Sequence, residues 1–278
     1  MKGTIQERVG INNMTYRRYS FPYFLRAVRR LGLTRIELSG CHPHFTIYEQ
    51  EHFDPTAFAR QIREAGITVP VIEPEQNFLP INIASADPYL REKSMEQLKF
   101  YIDSAPYLGC GMVVVYPGKN AMDKPHEEML NYACECLREL CSYAGEKGVT
   151  ILLQNVSSCI SGMTPNSNAV AEILERVGDE RLALSVNTCA VVAGGETLED
   201  YFRRFGSRIR AVQLSDSDDE DEQFILGDGT QDIAAHLAAM EKYDFTGPIT
   251  LEVTMEEYAD APDESYEKAL QVLQQLWK

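Results

Sequence analysis

Residues 112–154 read MVVVYPGKNAMDKPHEEMLNYACECLRELCSYAGEKGVTILLQ and contain two short apolar runs with an amphipathic stretch between them. The runs Met112–Tyr116 and Val149–Gln154 have the composition and length of strands. Apolar residues in Glu127–Lys147 recur at helical spacing. Two strands joined through a helix need a crossover connection, so we predict that these strands lie parallel in one sheet.

The same alternation of short apolar runs and amphipathic stretches fills the rest of the chain. We predict eight strands, at Arg8–Asn12, Arg35–Ser39, Thr68–Glu73, Met112–Tyr116, Val149–Gln154, Leu182–Val186, Arg210–Leu214 and Ile249–Val253. We predict eight helices, at Pro22–Leu31, Pro55–Ala65, Pro88–Leu108, Glu127–Lys147, Ser167–Val177, Leu198–Phe205, Ile233–Lys242 and Glu264–Leu276. Eight units favour a closed (β/α)8 barrel, the TIM barrel, over an open doubly wound sheet, which stays the alternative. No boundary signal divides the chain, so residues 1–278 are predicted to form a single TIM-barrel domain.

The overall charge of the chain restricts its partners. It has 42 acidic residues against 26 Lys and Arg, a formal net charge of −16, so nucleic acid is not expected as a partner. No apolar run approaches the roughly 20 residues of a membrane-spanning helix, and the first residues lack the apolar segment of a signal peptide. We therefore expect a cytoplasmic protein that does not contact membranes.

Polar residues concentrate where the predicted strands end. In a TIM barrel these carboxyl ends carry the functional groups. The polar segments are Glu37–His44, Glu73–Asn77, Tyr116–Gly118, Gln154–Ser157, Asn187–Cys189, Gln213–Ser217 and Glu252. The sequence therefore predicts a polar site at this end of the barrel.

Several segments, in this order along nearly the whole chain, resemble the xylose-isomerase-like sugar-phosphate isomerase/epimerase superfamily. They are Ile36-Glu37 with Pro43-His44, the run Pro74–Asn82, Asn187–Ala190, Gln213–Ser217 leading into Gly227–Gly229, and Leu251-Glu252. The resemblance implies a TIM barrel that acts on sugars. It also implies a divalent metal ion, Mn, Co, Mg or Zn, held by Glu, Asp, His and Glu at the ends of strands five to eight. In such enzymes the metal polarises the oxygens of a ketose while two glutamates exchange a carbon-bound proton.

This chain differs from that pattern at three of the four ligand positions. The family glutamate, aspartate and histidine fall on Gln154, Asn187 and Gln213, and only Glu252 is retained. Amide oxygens are weaker ligands than carboxylates or imidazole for these metals. We therefore predict a degenerate metal site with no firmly bound cofactor.

The amides are close in shape to the residues that they replace, so the pocket need not collapse. Gln154, Asn187 and Gln213 could bond one another, Glu252, or the hydroxyls of a sugar. The alternative is that they only satisfy backbone groups of the loops. Gln154 cannot accept a proton from carbon, which excludes a two-base epimerisation at these positions. Glu252 could still act as a lone base, and it is the predicted catalytic residue.

Two histidines and one further amide are candidates on the loops. His44 matches a Pro-His pair of the resembling epimerases and is expected to contact the ligand, whereas His42 is expected at the rim. A metal cluster formed by Cys41, His42 and His44 is not expected, because ligands so close in sequence on a loop rarely reach good coordination geometry. Gln223 replaces a family histidine before a Gly-x-Gly turn and is also expected at the substrate site.

The remaining candidates are acidic or lie beside acidic residues. Glu37 could accept a hydrogen bond from a sugar hydroxyl, or could form a salt bridge with a loop Arg or Lys. Glu75 and Asn77 could wall the pocket, or could form a turn beside Pro74. The run Asp216–Glu222 has six acidic residues in seven and reads as a solvated loop, or as a site that attracts an amine or a weakly held cation.

Three functions follow from these residues. The leading hypothesis is a sugar isomerase or epimerase that binds a small neutral or amine-bearing ketose, because no Lys or Arg cluster for a sugar phosphate is visible beside the strand ends. The second is a noncatalytic sugar- or partner-binding relative. The third is acid/base chemistry by Glu37 or Glu75 on a different substrate. Homo-oligomerisation is possible.

Overall fold

Eight parallel strands close into one barrel in the computed structural model, which describes residues 1–46, 52–77, 80–218 and 222–277. The barrel strands are β1 (Val9–Asn12), β2 (Arg35–Ser39), β3 (Thr68–Glu73), β4 (Met112–Val115), β5 (Thr150–Gln154), β6 (Ala183–Asn187), β7 (Ile209–Leu214) and β10 (Ile249–Leu251). β8 (Asp216–Ser217) and β9 (Glu222–Phe224) form a separate antiparallel hairpin. Strand β1 pairs with both β2 and β10, which closes the barrel. The TIM-barrel prediction is confirmed, and the open sheet is excluded.

Helices alternate with the barrel strands as the sequence predicts. They are α1 (Ile5–Arg8), α2 (Phe21–Arg30), α3 (Pro55–Glu64), α4 (Pro88–Leu108), α5 (His126–Gly145), α6 (Ser167–Val177), α7 (Thr188–Ala193), α8 (Leu198–Phe205), α9 (Ile233–Lys242) and α10 (Pro262–Leu276). Two 3-10 turns lie at Gly206–Arg208 and Glu256–Ala259. The eight predicted helices are present. The short α1 and α7 were not predicted because four to six residues show no helical period.

The helix ends follow local sequence rules. Asp54 and Asp87 cap α3 and α4, each accepting a hydrogen bond from a backbone N–H of the first turn. Gly109 and Gly178 end α4 and α6 at φ of +65° and +66°, a left-handed conformation that favours glycine. These caps fix where each connection returns to the barrel.

The barrel interior contains a layer of small apolar side chains. The members are Val71, Val114, Leu152, Ala183 and Ala211, one from each of β3 to β7. Side chains two residues further along a strand point to the same side. This period places Glu73, Tyr116, Gln154, Ser185 and Gln213 above the apolar layer, at the carboxyl ends of the strands. The larger core packs between the barrel and the surrounding helices.

None of the helices in the described ranges is long and apolar enough to cross a membrane.

Candidate active site

A cavity of about 650 Å³ lies at the carboxyl ends of the barrel strands. Its size is within the range of small-molecule sites, roughly 300–1,000 Å³. Three carboxylates line it, those of Glu73, Glu75 and Glu252, together with the basic side chains of Arg17 and Lys119. The predicted polar site therefore coincides with a real cavity that carries groups of both charges.

Beneath the cavity, the three amides form a buried hydrogen-bond network. Asn187 Nδ2 donates to Glu252 Oε2 at 2.6 Å and to Gln213 Oε1 at 3.2 Å. Gln154 Nε2 donates to the same Gln213 oxygen at 2.8 Å. Gln213 Nε2 in turn donates to Glu37 Oε1 at 2.6 Å. The structure thus brings together the amides, Glu37 and Glu252, but these amides do not line the cavity.

The backbone fixes the direction of every amide in this network. Asn187 caps α7, and its Oδ1 accepts a hydrogen bond from the backbone N–H of Ala190 at 3.1 Å. Its NH2 group must therefore point to the barrel axis. Gln213 must then present its oxygen to Asn187 and its NH2 group to Glu37, and Gln154 must present NH2 to Gln213. A helix cap thereby decides which atoms meet at the barrel axis.

Two buried carboxyl groups lie on the other side of the axis. Glu37 is 1% exposed and Glu73 is 6% exposed. Thr250 Oγ1 donates to Glu37 Oε2 at 3.0 Å, and the Tyr116 hydroxyl donates to Glu73 Oε1 at 2.9 Å. Burial, then the neighbouring Glu73 carboxyl, raises the pKa of Glu37 well above its usual range. Burial also raises the pKa of Glu73.

Glu73 was not selected from the sequence, although it ends a predicted strand. It has the same parity along β3 as Val69 and Val71, both buried. Alternate side chains of a strand point to the same face, so Glu73 places a carboxyl group on the face of β3 that points into the barrel. This alternation is the signal that could have identified Glu73. The salt bridge considered for Glu37 does not form, since no ion pair among the described residues includes it.

Of the two loop histidines, His42 lies at the exposed edge of the cavity as expected, whereas His44 does not line the cavity. His42 is exposed and lines the cavity. His44 is buried and is not among the described residues that line it. The ring of His44 stacks on Phe24, Nε2 bonds the Tyr19 carbonyl at 2.7 Å, and Nδ1 accepts from Asn13 Nδ2 at 3.3 Å. Burial lowers the pKa of His44, so the ring is a neutral packing residue.

Glu75, Asn77 and Gln223 all line the cavity, as expected. The Asn77 backbone N–H donates to Glu75 Oε1 at 2.6 Å, so the wall and the turn considered for this segment are both present. Gln223 Nε2 donates to Glu252 Oε2 at 3.1 Å, and its Oε1 accepts from the Thr254 hydroxyl. Gln223 has φ of +66°, a conformation uncommon for residues other than glycine.

The structure shows basic groups at the cavity that the sequence did not indicate. Lys119 donates to the backbone oxygen of Asn77 at 2.8 Å, and Arg17 pairs with Glu256. They follow β4 and β1, far apart in sequence, so no cluster was visible there. The sequence showed no Lys or Arg cluster beside the strand ends, and the structure brings two separate basic side chains to the cavity.

Only part of the acidic run Asp216–Glu222 can be described. Asp216 is 2% exposed and accepts hydrogen bonds from the backbone of Gly227 and Gln231, so it orders the loop around β8. Residues 219–221 and the side chain of Glu222 lie outside the described part of the chain. The predicted attraction of an amine or a cation by this run stays a prediction.

The closed parallel barrel with a polar cavity at its carboxyl ends defines the chain as a TIM-barrel protein, and sequence comparison agrees. The chain belongs to the xylose isomerase-like TIM-barrel family, whose model matches residues 25–276. The resemblance noted from the motifs is thereby confirmed.

Sugar epimerases are among the proteins similar to this chain. A fructoselysine 3-epimerase of Shigella flexneri is 26% identical over 262 residues, which cover 89% of this chain and 91% of the relative. A solved L-ribulose 3-epimerase superposes with a TM-score of 0.82 at 19% identity, covering 97% of this chain and 94% of that one. The IolI protein, solved with a bound zinc, superposes with a TM-score of 0.77 at 19% identity. The superposition covers 97% of this chain and 96% of the IolI chain.

Proposed function

We propose that this chain binds a small ketose, or a ketose bearing an amine, in the cavity and isomerises it without a divalent metal ion. The observation that carries the proposal is the position of Glu252. This carboxylate lines the cavity and is held by NH2 groups of Asn187 and Gln223, so it faces a bound ligand as a fixed base.

The donors at the four family ligand positions do not fit a divalent cation. Asn187 presents NH2 to the axis, and its oxygen is used by the helix cap. The Gln213 oxygen already accepts two hydrogen bonds. Gln154 has one oxygen without a hydrogen-bond partner, and a single amide oxygen is a poor site for a hard cation. Within the described ranges, no group of three His, Cys, Asp or Glu side chains is placed to hold a metal.

The cavity charges support an amine-bearing ketose as ligand. Glu73 and Glu75 offer acceptors for an ammonium group, and Lys119 offers a cation for a carboxylate of the same ligand. One relative of this chain is named for fructoselysine, a sugar joined to an amino acid. A neutral ketose would use the same acceptors through its hydroxyls.

Glu252 is the proposed base of a one-base reaction. It would remove the proton from the carbon beside the ligand carbonyl and return it to the neighbouring carbon. Gln154 occupies the position where the family has a second glutamate and cannot accept this proton. The proposed reaction is therefore an isomerisation between ketose and aldose forms, on one face of the sugar.

The test follows exchange of the carbon-bound proton. Ketohexoses and fructosamine-type ketosamines are incubated in deuterated water with EDTA, and the C–H signals are followed by NMR. We expect exchange with wild-type protein and its loss in Glu252→Gln, while ligand binding persists by calorimetry. Glu175→Gln, an exposed carboxylate on α6, is the matched control. Exchange that requires added metal, or that survives in Glu252→Gln, would contradict the proposal.

A noncatalytic sugar-binding protein is the second candidate. It is favoured by the two amide donors on one oxygen of Glu252, because hydrogen bonds to a carboxylate favour its ionised form and weaken it as a base. This alternative predicts that wild-type protein binds a ketose but exchanges no carbon-bound proton.

A further inference from the structure

Two residues that line the cavity carry buried polar atoms without a hydrogen-bond partner. These atoms are the hydroxyl oxygen of Ser39 and the side-chain oxygen of Asn77. The other atoms of this kind in the described ranges belong to residues that do not line the cavity. A buried polar atom without a partner costs free energy, so each one in a folded protein needs an explanation. A ligand that enters the cavity can supply the missing partners.

The alternation of side chains along β2 directs Ser39 into the barrel. Ser39 lies two residues after Glu37, whose side chain reaches Gln213 across the interior. Leu38 lies between them and packs in the core that surrounds the barrel. Ser39 is 2% exposed, so it is more than nine-tenths buried although it lines the cavity. Its side chain therefore points to the barrel axis, one step above Glu37.

The side chain of Asn13 holds the backbone of Ser39. The Ser39 N–H donates to Asn13 Oδ1 at 2.7 Å, and Asn13 Nδ2 donates to the Ser39 carbonyl at 3.0 Å. The next N–H, that of Gly40, donates to the Glu73 carbonyl at 2.8 Å and so ties the end of β2 to β3. These bonds fix the backbone of Ser39 and leave its hydroxyl for a ligand.

Ser39 and Glu252 lie at different places on the barrel rim. Glu252 follows β10, which pairs with β1, and β1 pairs with β2. Neighbouring strands lie about 4.8 Å apart, so the ends of β10 and β2 are separated by about 10 Å. Asn77 follows β3, one strand further from Glu252. A sugar with its carbonyl end at Glu252 can therefore place its remote hydroxyls beside Ser39 and Asn77.

The two atoms match hydroxyl groups and do not match a phosphate. The Asn77 oxygen only accepts hydrogen bonds, and the Ser39 hydroxyl can donate one or accept one. The Glu75 side chain also lines the cavity here and accepts from the Asn77 N–H at 2.6 Å. A phosphate has only acceptor oxygens and a charge of about −1.5 to −2, so these acceptors would repel it. A carbon without a hydroxyl would leave both atoms unpaired.

We propose that Ser39 is a specificity-determining residue, which with Asn77 binds the hydroxyls of the ketose that are remote from its carbonyl. This inference rests on the proposed function, which sets the carbonyl end at Glu252. A site built to bond a hydroxyl rejects an analogue without it, because the buried polar groups are then left unpaired. The selected ligand is a ketose with free hydroxyls at its far end, not a sugar that is deoxygenated or phosphorylated there.

The first measurement uses the protein without ligand. Since the Ser39 hydroxyl has no partner, Ser39→Ala should unfold at the same temperature as wild type or at a higher one. Ser161→Ala is the matched control, because the buried hydroxyl of Ser161 accepts from the Met163 N–H at 3.1 Å and donates to the Gly118 carbonyl. The control should unfold at a lower temperature. A lower unfolding temperature in Ser39→Ala would overturn the proposal, because its hydroxyl would then have a structural partner.

The second measurement tests recognition by calorimetry. The parent ligand is D-fructose or, where only an amine-bearing ketose binds, fructosamine, and it is compared with its 5-deoxy and 6-deoxy analogues. At least one analogue should bind wild type about 5- to 100-fold more weakly than the parent does. In Ser39→Ala this difference should fall to about 2-fold or less. Asn77→Leu, which removes the acceptor, should also reduce it.

Two controls accompany this comparison. Ser185→Ala removes another buried hydroxyl without a partner, but Ser185 does not line the cavity, so this variant should keep the full difference. The ligand control is 1-deoxy-D-fructose, which is altered beside the carbonyl. Whatever this change costs in wild type, Ser39→Ala should leave that cost unaltered.

The outcomes separate this inference from the proposed function. If wild type binds the parent and its analogues equally, or if Ser39→Ala keeps the full difference, the role of Ser39 is wrong while ketose binding stands. If wild type binds neither D-fructose nor fructosamine, the proposed function fails, and this inference fails with it. A difference that disappears in Ser39→Ala and persists in Ser185→Ala supports the inference, even if Glu252 exchanges no proton.

Discussion

The two sides of the cavity floor differ in the charge that their buried polar side chains can carry. On the side of β5 to β7, here called the amide side, Gln154, Asn187 and Gln213 are neutral at every ordinary pH. Asn187 donates a hydrogen bond to Glu252 and another to Gln213. On the side of β2 and β3, here called the carboxyl side, Glu37 and Glu73 keep their carboxyl groups, and burial raises the pKa of each. Substitutions on the amide side should therefore change stability at all pH values, whereas the effect of substitutions on the carboxyl side should depend on pH.

The largest expected effect comes from returning a charge to the amide side. Asn187→Asp keeps the helix cap but places a carboxylate oxygen where NH2 now lies 2.6 Å from Glu252 Oε2. An uncompensated buried charge costs about 3–5 kcal/mol. We expect a fall of this size in the free energy of unfolding at neutral pH, measured by chemical denaturation without metal.

The control for this prediction is Asn131→Asp on the exposed face of α5, which makes the same chemical change in water. We expect it to alter stability by less than about 0.5 kcal/mol. A loss below about 1 kcal/mol in Asn187→Asp would mean that the amide side tolerates charge and that the comparison of the two sides is wrong.

The next effect concerns metal. The triple variant Gln154→Glu, Asn187→Asp and Gln213→His restores the family ligand set around Glu252. Metal should then stabilise the folded protein by about 2.7 kcal/mol at a hundred times its dissociation constant. Thermal unfolding with Mn or Zn, and with EDTA, measures the gain, and wild type should show none. If metal does not raise the unfolding temperature of the triple variant, these four positions do not correspond to the family ligands.

The carboxyl side should respond to pH. The pKa of Glu37 is raised in the folded state, so the protonated form is favoured by folding, and stability is lost as pH rises from about 4.3 through the folded pKa. Each unit of the shift costs about 1.4 kcal/mol above that pKa. Glu37→Gln should therefore raise the melting temperature more at pH 8 than at pH 5. An equal change at both values would mean that Glu37 holds no proton.

The barrel and the amide network could be inferred from the sequence because both follow from periodic placement. Alternating strands and helices set the fold, and the carboxyl ends of parallel strands must converge. Gln154, Asn187 and Gln213 each end a strand of the structure or lie one residue before its end, so their meeting was predictable. Their orientation was not, because it depends on α7, which is too short to show a period.

Other features depend on contacts between distant loops. Lys119 reaches the cavity because the loop after β4 folds over Asn77, which no local pattern records. The roles of His42 and His44 differ because the ring of His44 bonds the Tyr19 carbonyl and stacks on Phe24. Glu73 differs from these loop residues, because the alternation of side chains along β3 is enough to place it inside the barrel.

The smallest expected effect lies at the rim above the carboxyl side, on the loop that follows β2. His42 is exposed, so His42→Ala should change stability by less than about 0.5 kcal/mol while weakening ketose binding. His44→Ala should do the reverse, because it removes a stacked ring and the hydrogen bond to Tyr19, with a loss of about 1–3 kcal/mol. Calorimetric binding and thermal unfolding of both variants separate the two roles. If ketose binding is weaker in His44→Ala alone, His44 contacts the ligand. The loop must then rearrange around a bound sugar.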